Sequence, residues 1–352
     1  MNKIIDIENR LVGKDQPCFI IGEIGSNHNR DKKTVIQLID ACAEAGFDAV
    51  KFQIYDAEEA FSKNEMTTDV KLDHLYGVKP WWEVARDVIL MPREWFGEMF
   101  AYARENNLIP LSAIHRKEDA DFLLEFDLPA FKIASIDLYY HYLLKQLTVY
   151  KKPMIISTGM ANQTEVSEAI KAVNTSGSSP VILLHCTSIY PTPEKDVNLN
   201  RMVMLRKVFN VPVGFSDHTT GSEAAIQALS MGARLFEKHF TLDKNMPGPD
   251  HRMSLEPNEL KATVDIIRKT ELALGSKNKR VLTEEEENRS KLRKSIVALV
   301  DIPVGTKLKR EMLAVKRPGH GVAPGKLHEL LHYQARIDIA KDSTIQYEML
   351  EK

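Results

Sequence analysis

Short, nearly continuous apolar runs recur along the chain, and each is followed by a stretch in which apolar residues return every three or four positions. The first run, CFIIGEI at residues 18–24, has the unbroken apolar character of a strand buried on both faces. Asp31 stands where it can cap the helix that follows. Val35, Leu38, Ile39 and Cys42 share one face of that helix, and Gly46 marks its end. Residues 49–54 form the next predicted strand and complete a β–α–β unit. Further strands are expected at 109–113, 130–134, 154–157, 181–185, 211–214 and 233–238. Helical stretches separate them, including 118–124 and 164–173. Asn162 and Glu165 resemble a capping box opening the second of these, and 260–274 reads as the last helix.

About eight strands, each followed by a helix, fill roughly 270 residues, which is the size of a (β/α)8 TIM barrel. The alternation implies a parallel sheet, and right-handed crossovers at this count favour a closed barrel. Spacing alone is also compatible with an open, doubly wound sheet. Residues 57–92, with Trp81 and Trp82, match neither period and are expected to form a long loop on the active-site side. Residues 276–294 are charge-rich and read as a solvated linker or helix, with a capping box from Thr283 to Glu286. Beyond them, 295–300 reads as a strand and Ile302–Pro303–Val304–Gly305 as a turn, opening a β-rich module small for independent stability. The expected division is a catalytic barrel at 1–275, a linker at 276–292 and a β-rich domain at 293–352.

Composition narrows the function classes. With 43% hydrophobic residues in 352, the chain can bury one large core and a small second one. Its formal net charge of -2 gives no global field for nucleic acid or an anionic membrane, so any anionic substrate must be held by local cations. No apolar run approaches the roughly 20 residues of a membrane span, and residues 1–10 lack a signal-peptide core. A cytoplasmic protein without membrane or nucleic-acid partners is expected. The three cysteines, Cys18, Cys42 and Cys186, show neither metal-ligand nor redox spacing.

In a barrel, chemistry sits at the C-terminal ends of the strands. Glu23 ends the first and is followed by Gly25–Ser26–Asn27–His28; Lys51 and Gln53 lie on the second. The fourth carries Lys132 and Ser135, with Asp137 just beyond, and the fifth ends at Ser157–Thr158–Gly159. Ser188 and Tyr190 follow the sixth, Ser216, Asp217 and His218 end the seventh, and Glu237–Lys238–His239 end the eighth. Lys51 and Lys132 are set within apolar strands, AVKFQI and AFKIAS, and a buried ammonium needs a facing anion. Two such lysines ringed by serines suit phosphate and carboxylate. His218 and His239 end adjacent strands and can converge on one divalent metal with open positions, suited to polarising an aldehyde. A Schiff base on either lysine is the competing chemistry.

These residues resemble the sialic acid synthases, which include N-acetylneuraminate, legionaminate and pseudaminate synthases. The ordered matches are EIGSNHN from Glu23, VKFQ from Val50, FKIAS from Phe131, KPMIISTGMA from Lys152, LLHCTSIYPTP from Leu183, GFSDHT from Gly214, EKHFTLDK from Glu237 and GPDHRMSLEP from Gly248. KRPGHGVAP from Lys316 resembles the family's antifreeze-like (SAF) domain. The resemblance implies condensation of phosphoenolpyruvate with an amino-sugar aldehyde, N-acetylmannosamine first and a diacetamido trideoxyhexose second. It also implies a divalent ion, usually manganese with magnesium or cobalt as substitutes, on His218 and His239. It gives Lys51, Lys132, Ser135, Ser188 and Ser216 to phosphoenolpyruvate and makes Glu23 the candidate for proton handling; Gln53 is expected among the catalytic residues and Ser157 among those that bind substrate. Tyr190, Asp137, Asp250 and Arg317 fall to the sugar, with Arg317 closing the partner's site in a domain-swapped homodimer.

The chain departs from the family pattern after the third strand. Leu111–Ser112–Ala113–Ile114–His115 replaces Ser-Thr-Pro-Phe, and Asp137 stands where a longer Glu is usual. A carbohydrate-binding protein without turnover is the alternative of another class.

Overall fold

The computed structural model describes residues 4–177 and 179–352. The chain divides into two compact units, Met1–Gly275 and Ser276–Lys352. The first begins with an antiparallel hairpin of β1 (Ile5–Ile7) and β2 (Arg10–Val12). Eight parallel strands follow: β3 (Phe19–Glu23), β4 (Ala49–Gln53), β5 (Ile109–Ala113), β6 (Phe131–Ile133), β7 (Met154–Ser157), β8 (Val181–Cys186), β9 (Val213–Asp217) and β10 (Leu235–His239). They close in sequence order, with β10 hydrogen-bonded to β3. The fold is therefore a TIM barrel, and the open-sheet alternative is excluded.

Period-two alternation decides what each strand offers the two sides of the barrel wall. Ile20, Val50, Phe52, Phe131 and Phe215 point outward and pack against the helices in the larger core. Phe19, Ile21, Ala49, Leu111, Ile155 and Leu235 point inward and fill the bottom of the barrel, together with Ile5, Ile7 and Val12 of the hairpin. The sequence reading assigned this hairpin no element, because three-residue strands are too short to show a period.

Local signals fix the helix ends. Asp31 accepts from the Lys33 amide to open the helix Lys32–Ala45. Asn162 and Glu165 form a reciprocal capping box at Gln163–Ser176. Asp48 ties the barrel floor together: its carboxylate accepts from Ile20 N at 2.8 Å and from Arg268 at 2.9 Å, and also pairs with Arg10. Arg268, on the last barrel helix Pro257–Leu274, also donates to Cys18 O at 2.7 Å. Asp48→Ala removes the acceptor of the Ile20 amide and one of the two carboxylates that face Arg268, the other being Glu271 at 3.1 Å. It should destabilise the protein by about 2–4 kcal/mol, read as a lower urea midpoint at unchanged slope.

Three expectations need correction. Residues 57–92 are not a plain loop. They contain the helical turns Ala57–Ala60, Asp73–Tyr76 and Trp81–Val84, closed over a small core of Ala57, Val84, Ala85, Ile89 and Leu90. The first two turns are only four residues long, too short to register a helical period, and the third runs on into the π-helical stretch Ala85–Ile89, whose wider turn breaks that period. The seventh barrel strand is Val213–Asp217 rather than 211–214, since the barrel ladder starts where the Pro212 carbonyl accepts from Leu183 N. The helix Thr283–Leu292 is not opened by Thr283: Glu285 reaches back to the Leu282 amide at 3.0 Å, and the Leu282 side chain has no acceptor, so only its carbonyl takes the Glu285 amide, at 2.9 Å.

The second unit contains that helix and a β-rich body. β11 (Ser295–Ala298) pairs antiparallel with β12 (Leu313–Lys316), and β13 (Gln334–Ala335) with β14 (Leu350–Glu351). Ile296, Ile302, Leu313, Leu330, Ile339 and Ile345 form its core. Among the described residues of the whole chain, no helix is long and apolar enough to cross a membrane.

Candidate active site

Above the apolar floor, the inward positions at the C-terminal ends of the strands turn polar. Glu23, Lys51, Gln53, Ser157, Ser216, Glu237 and His239 keep the inward parity of the residues below them. Lys132 lies in register beside inward-facing Ala113. The result is a buried quartet of alternating charge. Lys51 Nζ is 2.6 Å from Glu23 Oε2 and 3.7 Å from Glu237 Oε2, and Lys132 Nζ is 3.6 Å from Glu237 Oε1. Gln53 donates to Glu23 Oε1 at 2.6 Å, Ser216 to Glu237 Oε1 at 2.8 Å, and Lys132 to Ser157 Oγ at 2.8 Å. The anions facing both lysines are thus the protein's own carboxylates.

The two carboxylates are not equivalent. Burial raises the Glu23 pKa to about 7, against the pull of Lys51 and with help from Glu237. Burial also opposes ionisation of Glu237, but Lys132 and Lys51 outweigh it and hold this carboxyl at about 2. Glu23 therefore sits at a neutral-pH proton threshold while Glu237 stays ionised, a split that assigns different work to two adjacent acids. Burial lowers the Lys132 pKa against the attraction of Glu237, whereas Lys51 is raised because Glu23 and Glu237 overcome its burial.

The serines gather on one side. Ser135, in the single helical turn after β6, accepts from Gly159 N at 3.0 Å. A Cβ at Gly159 would lie 2.3 Å from Ser188 Oγ and 2.8 Å from Ser135 Oγ, so only glycine lets these hydroxyls approach. On the other side stand the histidines. The rings of His218 and His239 are 5.5 Å apart, and Tyr190 lies 4.2 Å from His218. Asp250 Oδ2 is 3.9 Å from His239 Nδ1 and accepts from Ser26 Oγ at 2.9 Å. Gly25, at φ +54, makes room for this contact: a side chain there would meet Asp250 Oδ2 at 3.0 Å.

Among the described residues, no cluster of three or more His, Cys, Asp or Glu side chains is arranged to hold a metal. The two histidines nevertheless suit an ion with open positions. His218 Nδ1 is occupied by the Thr187 carbonyl at 3.0 Å, the backing that orients a ligand imidazole, and His239 Nδ1 is buried without a partner. Burial, then His218 and Lys51, keep His239 neutral, the form that binds a metal. Burial opposes charge on His218 too, but Cys186 and the Thr187 carbonyl raise its pKa.

Asp137 lies beyond β6 and binds His115 Nδ1 at 2.7 Å. Arg317 belongs to the second unit and is exposed there. Glu237 was placed at the end of its strand by the sequence but given no role there, although its parity with His239 was a usable signal. Two residues of the mouth escaped sequence reasoning: Cys186, with Sγ 3.7 Å from His218 Nδ1, and Tyr55, stacked on His115. A cavity of about 1100 Å³ opens beside Gln53, Tyr190, His239 and Asp250 and extends along the loops at 70–75 and 244–253.

Comparison with known proteins gives this geometry a family. The NeuB family pattern matches residues 38–279 and the SAF domain pattern residues 293–351. A spore coat polysaccharide biosynthesis protein of Bacillus subtilis is 37% identical over 97% of this chain and 96% of its own. The N,N'-diacetyllegionaminic acid synthase of Campylobacter jejuni is 36% identical over 93% of this chain and 98% of its own. The crystal structure of N-acetylneuraminic acid (sialic acid) synthetase from Leptospira borgpetersenii superposes with a TM-score of 0.72 at 30% identity, covering 82% of this chain and 95% of that one. The chain therefore belongs to the NeuB family of sialic, legionaminic and pseudaminic acid synthases.

Proposed function

We propose that this protein condenses phosphoenolpyruvate with an N-acetylmannosamine-type aldose to give N-acetylneuraminate or a close analogue plus phosphate. The observation that carries the reading is the buried quartet: two ammonium groups at a barrel mouth, beside four serine hydroxyls. An incoming anion with a carboxylate and a phosphate draws on Lys51 and Lys132 and on Ser135, Ser157, Ser188 and Ser216. A divalent ion on His218 and His239, manganese by the family resemblance, supplies a Lewis acid for the aldehyde oxygen. Asp250, Tyr190 and Asp137 hold the sugar hydroxyls, and Arg317 reaches the sugar from a second copy of the chain.

Carbon 3 of phosphoenolpyruvate bonds to the aldehyde carbon, and positive charge develops at carbon 2. Water adds there, and phosphate leaves with its oxygen as the C–O bond breaks. Glu23, with a pKa raised to about 7 and held by Gln53, takes one proton of that water and returns it to the alkoxide left on the aldehyde oxygen, while the second leaves with the phosphate as the ketone forms. Ionised Glu237 attracts both lysines, raising the Lys51 pKa and offsetting part of the burial that lowers that of Lys132. A homodimer is supported by apolar side chains exposed on the neighbouring loops above β6, β7 and β8: Ile136, Tyr139, Tyr140, Met160 and Ile189.

The legionaminate or pseudaminate reaction, with a diacetamido trideoxyhexose, is the second reading, favoured by the names of relatives. Phosphate release from phosphoenolpyruvate by manganese-loaded protein separates the two. EDTA-sensitive release is expected with N-acetylmannosamine. Release with only the diacetamido sugar selects the second reading, and release with neither sinks both.

A further inference from the structure

We infer that His115, held by Asp137, determines acceptor specificity: its Nε2 accepts a hydrogen bond from a hydroxyl or amide N–H of the sugar. The inference rests on the proposed reaction and extends it to a residue that the lysines, serines and histidines above do not include.

Strand parity places the side chain. Ala113 faces inward, in register with Gln53 on β4 and Lys132 on β6. The ladder runs one residue further, since Ile114 N donates to Lys132 O at 2.9 Å. His115 therefore stands one inward position above Ala113, at the mouth. Its ring stacks on Tyr55 with centroids 3.7 Å apart and planes 17° from parallel. Burial, and then the charges of Asp137 and Glu23, raise the Tyr55 phenol well above its usual pKa.

One nitrogen of His115 is committed and the other is not. Nδ1 lies 2.7 Å from Asp137 Oδ2, while Nε2 is buried and without a hydrogen-bond partner among the described residues. The large majority of buried side-chain nitrogens find a hydrogen-bond partner. Both nitrogens of His251 do so nearby, with Nδ1 2.7 Å from Thr241 Oγ1 and Nε2 3.3 Å from Asn29 Oδ1. His115 has the asymmetry of a ligand-facing ring. The Asp137 carboxylate takes the Nδ1–H, which fixes the tautomer and leaves a lone pair on Nε2. That nitrogen selects a hydrogen-bond donor. The ionised phosphate and carboxylate of phosphoenolpyruvate offer acceptors, whereas an amino sugar offers hydroxyls and an amide N–H.

His115→Phe keeps the ring and its stacking on Tyr55 but removes both nitrogens. The sugar KM should rise about tenfold, the worth of one buried hydrogen bond, while the phosphoenolpyruvate KM stays within about twofold. His115→Gln, whose amide oxygen reaches the Nε2 position, should recover part of the loss. Independently of turnover, sugar should move the 15N resonance of His115 Nε2 in histidine-labelled protein, and phosphoenolpyruvate alone should not. A shift with N-acetylmannosamine but not mannose assigns the amide N–H; a shift with both assigns a hydroxyl. A KM change confined to phosphoenolpyruvate, or an Nε2 resonance unmoved by either sugar, overturns the inference. Absence of phosphate release by the wild type with every sugar instead overturns the proposed reaction, and the resonance still decides the role of His115.

Discussion

Lys132→Met should lower kcat/KM for phosphoenolpyruvate by about 10²–10³-fold and destabilise the protein by about 3 kcal/mol, both for the same electrostatic reason. Lys132 is buried, with Ser157 at 2.8 Å and Glu237 at 3.6 Å as polar side-chain partners. Removing it deletes one of two cations for the anionic substrate. It also leaves Glu237 with Lys51 at 3.7 Å as its remaining cationic neighbour in the quartet. Ionised Glu237 contributes stability above its ordinary pKa of 4.5, and this is lost as pH falls toward about 2. Without Lys132 the folded-state pKa rises, so that window should narrow from its acid end. The check is a second variant. Lys132→Met with Glu237→Met replaces the whole pair by apolar volume, and should recover most of the stability while remaining inactive. Restored activity in the double variant would remove the lysine from the reaction.

His239→Ala should abolish manganese retention and reduce phosphate release by about three orders of magnitude. The residue ends β10 with its ring over the mouth, 5.5 Å from that of His218, and its Nδ1 is buried without a partner. Two imidazoles make a sparse ligand set, so the loss of either leaves one protein donor and no chelate. Metal analysis of purified protein measures this directly. Retention of one equivalent of manganese by the variant would move the ion elsewhere. Because His239 is held neutral in the wild type, alanine removes no charge, and the melting temperature should change far less than in Lys132→Met.

The barrel was legible because its strands and helices carry local, repeated signals. Buried runs such as CFIIGEI and caps such as Asp31 and Asn162 act within a few residues of themselves. Once a barrel is assumed, inward parity alone aims Lys51, Ser157, Ser216 and His239 at one mouth. The same rule reaches Glu237, whose parity matches that of His239. What local pattern could not carry were elements too short to repeat their own period, the hairpin β1–β2 and the helical turns within 57–92.

By itself, then, the sequence determined the order of elements, the parity of each strand and the supply of cations, hydroxyls and imidazoles at the strand ends. Only the tertiary structure decided how these groups pair. The buried lysines answer to Glu23 and Glu237, from strands β3 and β10 that join only on barrel closure. His115 answers to Asp137, 22 residues away. The division has one physical cause. Hydrophobic period and capping are interactions between near neighbours in the chain, whereas the charge balance and proton affinity of a buried group are set by whatever closure of the barrel brings within a few ångströms.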